Sequence, residues 1–209
     1  MLGYCPEFLS LKGFRENDPD RWDHHGSASN LNCVTAWHRT LRESVVGFEF
    51  DPGGITHIPL SLPVSSARME GIIWRGGTWT FESVYSGPHF ESLDVDGHII
   101  DGCMKIPSSY HTHRHHVVTA RYGHNAILPC FTEITNAKVL TSGRLSGAVE
   151  VVIEPMGFVE VVFFSPQPAR LLIDGKPAVA SWSQDTGYGY VAFAAQSECT
   201  LRLQHSSSS

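Results

Sequence analysis

The sequence predicts a mainly β protein, an antiparallel β-sandwich or jelly roll preceded by one amphipathic α-helix. From Ile55 onward, short apolar runs of period two are broken by Gly, Pro, Asn and Asp, the signature of many short strands joined by turns. Before them, Leu31, Val34, Trp37 and Leu41, with Val45 a turn further on, recur at helical spacing. Within the β part, one strand-bend-strand-turn pattern occurs twice.

Taken in order, the helix has a cap among Ser27, Ser29 and Asn30, whose side-chain oxygens can accept a backbone N–H, and a stop at Gly47. Asn32, His38, Arg39, Arg42 and Glu43 fall largely off its apolar face. A single helix with a Trp-Leu face needs a partner surface, and the sequence after it offers only sheets. Strands are expected over 55–60, 69–74, 79–85, 91–95, 116–121, 148–154, 158–164, 170–173, 188–193 and 199–203. Short strands at this spacing indicate a sandwich or jelly roll.

The repeat supports that architecture. Glu82-Ser-Val-Tyr-Ser-Gly-Pro88-His-Phe-Glu-Ser-Leu93-Asp-Val95-Asp96-Gly97 aligns without a gap on Glu160-Val-Val-Phe-Phe-Ser-Pro166-Gln-Pro-Ala-Arg-Leu171-Leu-Ile173-Asp174-Gly175. Each copy reads as a strand ending at a Pro-containing bend, a second strand, and an Asp-Gly hairpin turn in which Gly takes positive φ. The organisation expected is a loop and helix over 1–50, a β-sandwich over 51–204 and a disordered Ser-rich tail over 205–209.

Composition narrows the function classes. The 209 residues carry 15 Lys+Arg against 21 Asp+Glu, for a formal charge of -6, and there is no basic run. Nucleic acid and anionic membrane are therefore not expected partners. Cys5, Cys33, Cys103, Cys130 and Cys199 are widely spaced and lack any C-x-x-C, so they read as free thiols rather than a disulfide framework or a zinc site. No stretch approaches the ~20 apolar residues of a membrane span. The N-terminus lacks signal-peptide character, so a cytoplasmic location is expected for the chain as it stands.

Asp23-His24-His25-Gly26-Ser27-Ala28, the Trp37-bearing helix, Val46-Gly47-Phe48, Asp51-Pro52-Gly53-Gly54 and Ile58-Pro59-Leu60-Ser61-Leu62-Pro63 together resemble the exit from the (α/α)6 barrel of glycoside hydrolases such as the bacterial α-L-rhamnosidases. In those enzymes a Ser/Asn/His-rich loop precedes the last barrel helix, and a Pro-Gly turn leads into a C-terminal β-sandwich. The cellobiose phosphorylase group and trehalase-like enzymes are built similarly. Ser165-Pro166 and Leu172-Ile173-Asp174-Gly175-Lys176 also resemble the terminal β domains of many glycosidases. The resemblance implies the C-terminal part of such an enzyme, packing on a catalytic barrel upstream in the chain or separate from it. Nearly all of the barrel is missing, and with it the paired carboxylates that glycoside hydrolysis uses.

Asp18, Asp20, Asp23 and Glu43 are the acids near the barrel-like portion, but the run Asp18-Pro-Asp20-Arg-Trp22-Asp23 reads as a solvated loop, and no catalytic residue is assigned. Trp22, His24 and His25 are the candidates for touching carbohydrate. An indole face stacks on the C–H surface of a pyranose, and imidazoles hydrogen-bond its hydroxyls. The resemblance implies that their loop faces a substrate subsite; alternatively each His caps the helix or stays in solvent. No cofactor is expected.

Two alternatives remain. Tyr110-His111-Thr-His113-Arg-His115-His116, with His124 beyond, would on a strand place alternate imidazoles on one face. His111, His113 and His124 are then the ligand candidates of a cupin-like metal-binding enzyme. Against this, Pro107-Ser108-Ser109 starts the segment as a loop, and only 116–120 reads as strand. The other alternative is a free-standing carbohydrate-binding β-sandwich, for which Trp74, Trp79, Tyr85 and Phe90 form either an aromatic platform or simply core. The glycines from Gly71 to Gly77 lack the strand-turn-helix context of a phosphate cradle and read as a hairpin loop.

Overall fold

The computed structural model describes residues 39–205 apart from 61, 126, 127 and 146. Of the segment expected to be helical, residues 39–46 are described. Residues 39–41 are α-helical and pass into a π turn, Arg42–Val46, closed by Gly47 at φ 77° and ψ 41°. A Cβ on Gly47 would lie 2.5 Å from the Ile58 carbonyl oxygen, so the stop is steric as well as conformational. Val46 is buried, and its carbonyl accepts the Ser83 hydroxyl at 2.8 Å. Arg42 donates to the Phe48 carbonyl, and its guanidinium carbon lies 4.2 Å from the Phe50 ring centroid. Leu31, Val34 and Trp37 lie outside the described residues.

Phe48–Asp51 (β1) and Gly54–His57 (β2) form a hairpin turned at Pro52-Gly53, with the Gly54 N–H donated to Asp51 Oδ1 at 2.7 Å. The boundary expected between 50 and 51 therefore falls inside β1, and the β part begins at Phe48. The hairpin packs on a five-stranded sheet of Ser66–Trp74 (β3), Gly77–Tyr85 (β4), His89–Val95 (β5), His98–Ile100 (β6) and His115–Gly123 (β7), in the order β3-β4-β7-β5-β6. Every pairing is antiparallel except β4 with β7, because β7 returns from a long connection and inserts between β4 and β5. Phe48, Ile55, Trp79, Phe81, Leu93 and Val118 fill the core between hairpin and sheet, with Phe48 and Phe81 centroids 4.6 Å apart. Trp79 is fully buried there, and Trp74, Tyr85 and Phe90 pack partly buried against the same cluster. Trp79 is therefore core and the other three pack against it, so the four do not form an exposed aromatic platform, although Phe90 also borders a cleft at the seam of the two halves.

The second half is one sheet folded double. Cys130–Leu145 (β8) and Ala148–Phe164 (β9) pair along their whole length. It also contains Ala169–Ile173 (β10), Lys176–Pro177 (β11), Ser181–Trp182 (β12), Tyr188–Ala195 (β13) and Cys199–His205 (β14). On the free edge of β9, β14 pairs with its first part and β13 with its last. The edge strands β11 and β12 are joined by residues 178–180 alone. Such a link reaches at most roughly 14 Å, whereas in a flat sheet the registers would set Pro177 level with Glu150 and Ser181 level with Val162 of β9, roughly 40 Å apart along the strand. The sheet therefore bends into two facing layers, a sandwich, and Val149, Val151, Ile153, Val159, Val161 and Phe163 of β9 all serve one core. The corner has identifiable causes. The β8–β9 register shifts between Thr135 and Ala137, Asn136 sits at φ 52° and donates from Nδ2 to the Phe158 carbonyl at 2.9 Å, and Gly157 sits at φ 119°.

The expected strands 148–154 and 158–164 are thus a single strand, and β8 is an addition to the expected set, as are β1, β6, β11 and β12. Residues 58–60 do not continue β2. β14 reaches His205, so the expected tail starts one residue inside a strand. The repeat is structural. Asp96-Gly97 (φ 54° and 85°) and Asp174-Gly175 (φ 50° and 74°) turn the β5–β6 and β10–β11 hairpins as type I′ turns. Each Asp also clips the neighbouring strand: Asp96 exchanges N–H and carboxylate bonds with Val117, and Asp174 does the same with Thr200, all at 2.9 Å.

Residues 102–106 strap the two halves together. One side of this segment bonds β2, through His57 N–H to the Met104 carbonyl and Ile106 N–H to the Ile55 carbonyl, both 2.8 Å. The other bonds β8, through Met104 N–H to the Phe131 carbonyl and Phe131 N–H to the Gly102 carbonyl, both 2.9 Å. At its centre Lys105, fully buried, donates to Asp51 Oδ2 at 2.7 Å, Asp51 Oδ1 at 3.0 Å and the Ile134 carbonyl at 2.8 Å. Lys105→Met is expected to cost about 3 kcal/mol in urea denaturation, the low end for breaking a buried pair because Asp51 is partly open to water. Adding Asp51→Asn should restore part of that loss.

Candidate functional site

Trp22, His24 and His25 lie outside the described residues, so their proximity to any surface is not part of this structure. The histidine cluster is described, and it does not converge. His111 follows the 3-10 turn Ser108–Tyr110, and His113 sits on the exposed loop beside Gly76. β7 begins only at His115, and His124 follows its far end, roughly 26 Å away at the rise of a strand. His111, His113 and His124 therefore cannot share a metal, which corrects the cupin-like alternative. Among the described residues, no group of three or more His, Cys, Asp or Glu is placed to hold a metal ion.

The imidazoles have separate roles. His116 is buried and stacks on Trp79 at 4.4 Å; its Nδ1 donates to Asp96 Oδ2 at 2.8 Å, and its Nε2 lies 2.9 Å from the Thr112 hydroxyl. Burial acts to raise the Asp96 pKa, but the Val117 N–H and His116 outweigh it and hold this carboxyl below its usual value. The arrangement pins loop 112–114 to the β5–β6 turn. His115 Nε2 lies 3.0 Å from the Thr80 hydroxyl on the outer face of the sheet. His111 packs edge-on against Trp74 with centroids 4.8 Å apart, and neither of its buried ring nitrogens has a partner. Burial, reinforced by Arg75 and Lys105, pushes its pKa down to about 4.

His57 is the third buried or half-buried imidazole. Its Nε2 lies 2.7 Å from the Tyr122 hydroxyl, which also accepts the Leu60 N–H at 2.9 Å. The Gly47 carbonyl stands on the Nδ1 side but outside hydrogen-bond geometry. Burial lowers the His57 pKa to about 3 and raises that of Tyr122.

Tyr122 forms one wall of a cleft of about 150 Å³ at the seam of the two halves. Pro59, Leu60, Pro88 and Phe90 line it from the first half, Thr132, Phe164 and Tyr188 from the second, and Met104 from the strap between them. The volume suits one ring, as a ~150 Å³ apolar cavity accepts benzene. Aromatic faces, prolines and a few hydroxyls make this a place for stacking rather than acid–base chemistry. A smaller cleft of about 50 Å³ lies nearby, lined in part by Cys103, Cys130 and the Asp101–Arg144 ion pair. Cys103, Cys130 and Cys199 are buried free thiols whose pKa burial raises to about 11, 12 and 11, as expected of inert core cysteines. Cys5 and Cys33 lie outside the described residues.

Among the described residues, no helix is long and apolar enough to cross a membrane. No family model matches the chain, and no curated protein matches it. Sequence reasoning missed Phe164 and Tyr188 as site residues. Their signal was Tyr188-Gly189-Tyr190, an alternation that turns two aromatic rings to one face of a strand and a glycine to the other.

His57 and His111 fix the pH response. Their folded pKa values lie below the unfolded value of about 6.5, so the unfolded chain binds more protons in acid. Stability is complete above about pH 6.5 and falls as pH drops toward their folded values of about 4 for His111 and 3 for His57. For His57 the slope approaches about 1.4 kcal/mol per pH unit. Denaturation at a series of pH values should show this acid limb, and His111→Phe, which removes two unpartnered nitrogens, should make it shallower without lowering stability at pH 7.

Proposed function

We propose that this chain is the C-terminal β portion of a glycoside hydrolase, not catalytic by itself, which packs on a helical catalytic barrel through the segment leading into Gly47. The observation that carries this reading is the two-sided character of residues 39–46. Val46 and Arg42 fasten the segment to the β part, while Leu41 and Val45, four residues apart and on one side of the turn, are 40% and 39% exposed. An apolar pair held outward by a fixed anchor suits a second surface. The sharp stop at Gly47 and the Asp51-Pro52-Gly53-Gly54 turn then carry the chain from a helix into a sheet, as the exit from a barrel requires. Carbohydrate is the substrate class of the whole enzyme, and the catalytic carboxylates belong to the barrel.

The test joins two measurements. The chain alone should release no nitrophenol from a panel of nitrophenyl glycosides. It should co-purify with an (α/α)6 glycosidase barrel lacking its own sandwich, and Leu41→Glu with Val45→Glu should abolish that association while leaving thermal stability within about 2 °C. Turnover by the chain alone would overturn the proposal. So would a melting temperature several degrees lower in the double variant, because Leu41 and Val45 would then serve this chain's own core.

A further inference from the structure

We infer that the outward face of β9 and β13, with the seam cleft it runs into, binds a neutral oligosaccharide by stacking its rings on Tyr188, Tyr190 and Phe158. This goes beyond the barrel-packing reading, since it concerns the chain alone and stands whether or not a barrel is present. The cross-strand register places Tyr188 opposite Phe164, Tyr190 opposite Val162, Ala192 opposite Glu160 and Ala194 opposite Phe158, all on one face. Phe158, Tyr188 and Tyr190 are 55%, 44% and 43% exposed. From Tyr188 to the level of Phe158 the strip runs roughly 20 Å along the strand. Ala192, opposite Glu160, adds little bulk between the rings.

The backbone forces this face outward. A Cβ on Gly189 would lie 2.1 Å from Phe163, so the inner side of β13 is closed at that point and both flanking tyrosines project the other way. The rings are also held in place. The Tyr190 hydroxyl donates to Glu160 Oε1 at 3.0 Å, and the Tyr188 ring meets Phe164 edge-on at 5.3 Å, at the mouth of the cleft. Aromatic surfaces fixed before binding lose little rotamer freedom when a ligand settles on them.

Charge selects the ligand. Among the described residues, the charged side chains along this stretch of the face are Glu160 and, on β8, Glu133, both acceptors and neither in an ion pair with a described cation. Two carboxylates beside aromatic faces accept hydroxyl protons from a sugar and repel polyanions. A neutral, hydroxyl-rich ring with an apolar C–H face satisfies both features of the surface, and the cleft of about 150 Å³ takes a terminal ring between Tyr188, Phe90 and Tyr122.

The test is affinity electrophoresis and calorimetry of the full chain against neutral polysaccharides (mixed-linkage glucan, galactomannan, arabinoxylan, xyloglucan), with polygalacturonate as the anionic control. The proposal expects binding to at least one neutral polymer and none to polygalacturonate. Tyr188→Ala and Tyr190→Ala should each weaken binding about tenfold or more, equivalent to about 1.4 kcal/mol. Tyr190→Phe keeps the ring but loses the Glu160 bond, so it should retain most of the affinity and guards against a folding defect in the alanine variants. Failure of the wild-type chain to bind any neutral polymer overturns the proposal, as does full binding by both alanine variants. If the chain sediments as a dimer that Tyr190→Ala dissociates, the face is a self-interface and the proposal also fails. Leu41 and Val45 variants should bind glycan normally, which separates this outcome from that of the barrel proposal.

Discussion

A buried ammonium organises the joint between the two halves of this protein. Lys105 reaches no water, so each of its three protons needs an acceptor inside the fold, and the acceptors come from both halves: the two Asp51 oxygens at the β1–β2 turn and the Ile134 carbonyl of β8. The Asp51 carboxylate is in place only if the hairpin closes on Gly54 N–H, and the Ile134 carbonyl only if β8 holds its register. Gly53 is part of the same constraint: a Cβ there would come 2.2 Å from the Ala137 carbonyl oxygen and 2.7 Å from the Lys105 ammonium. The turn Asp51-Pro52-Gly53-Gly54 therefore has a local explanation. It presents a carboxylate and an absence of side chain to a neighbouring strand, whatever lies N-terminal to it.

The same joint explains which strands were legible in the sequence. Those that alternate in an undisturbed register, such as β4 with Trp79, Phe81 and Ser83 inward, announce themselves by period two. β8 does not, because three register shifts, near Glu133, Ala137 and Thr141, reset its inward positions and break the alternation. β9 reads as two strands in sequence because Glu154, Met156, Gly157 and Phe158 are exposed at the corner, although the odd-numbered inward positions continue on both sides of it. The histidine run misled in the opposite sense. His111, His113 and His115 alternate in sequence, yet the 3-10 turn after Pro107 and the packing of His113 against Gly76 delay the strand until His115. Alternation implies a shared face only where the backbone is already extended.

The two Asp-Gly turns show what the repeat accomplishes. In each, an aspartate takes left-handed φ to close a type I′ hairpin, and its carboxylate then accepts an N–H from the next strand over. One residue thus sets both the turn and the lateral position of a third strand. The surroundings differ, since β7 runs parallel to β4 whereas β14 runs antiparallel to β9. The likeness is therefore a shared local device and not a shared sheet.

The seam cleft lies where these constraints leave the least freedom to pack. The strap fixes Met104, the Tyr122 hydroxyl fixes Leu60, and the β9–β13 pairing fixes Phe164 and Tyr188, so no one wall can move in to fill the gap without breaking a bond made elsewhere. A cavity between two well-packed cores costs dispersion contacts that neither core can recover. A ring-shaped ligand in the cleft would recover them and would touch both halves and the strap at once. Its binding energy would add to the stability of the joint in proportion to the logarithm of its concentration. Occupancy of the cleft and the integrity of the Lys105 junction are in that case coupled through Met104, one residue away along the strap.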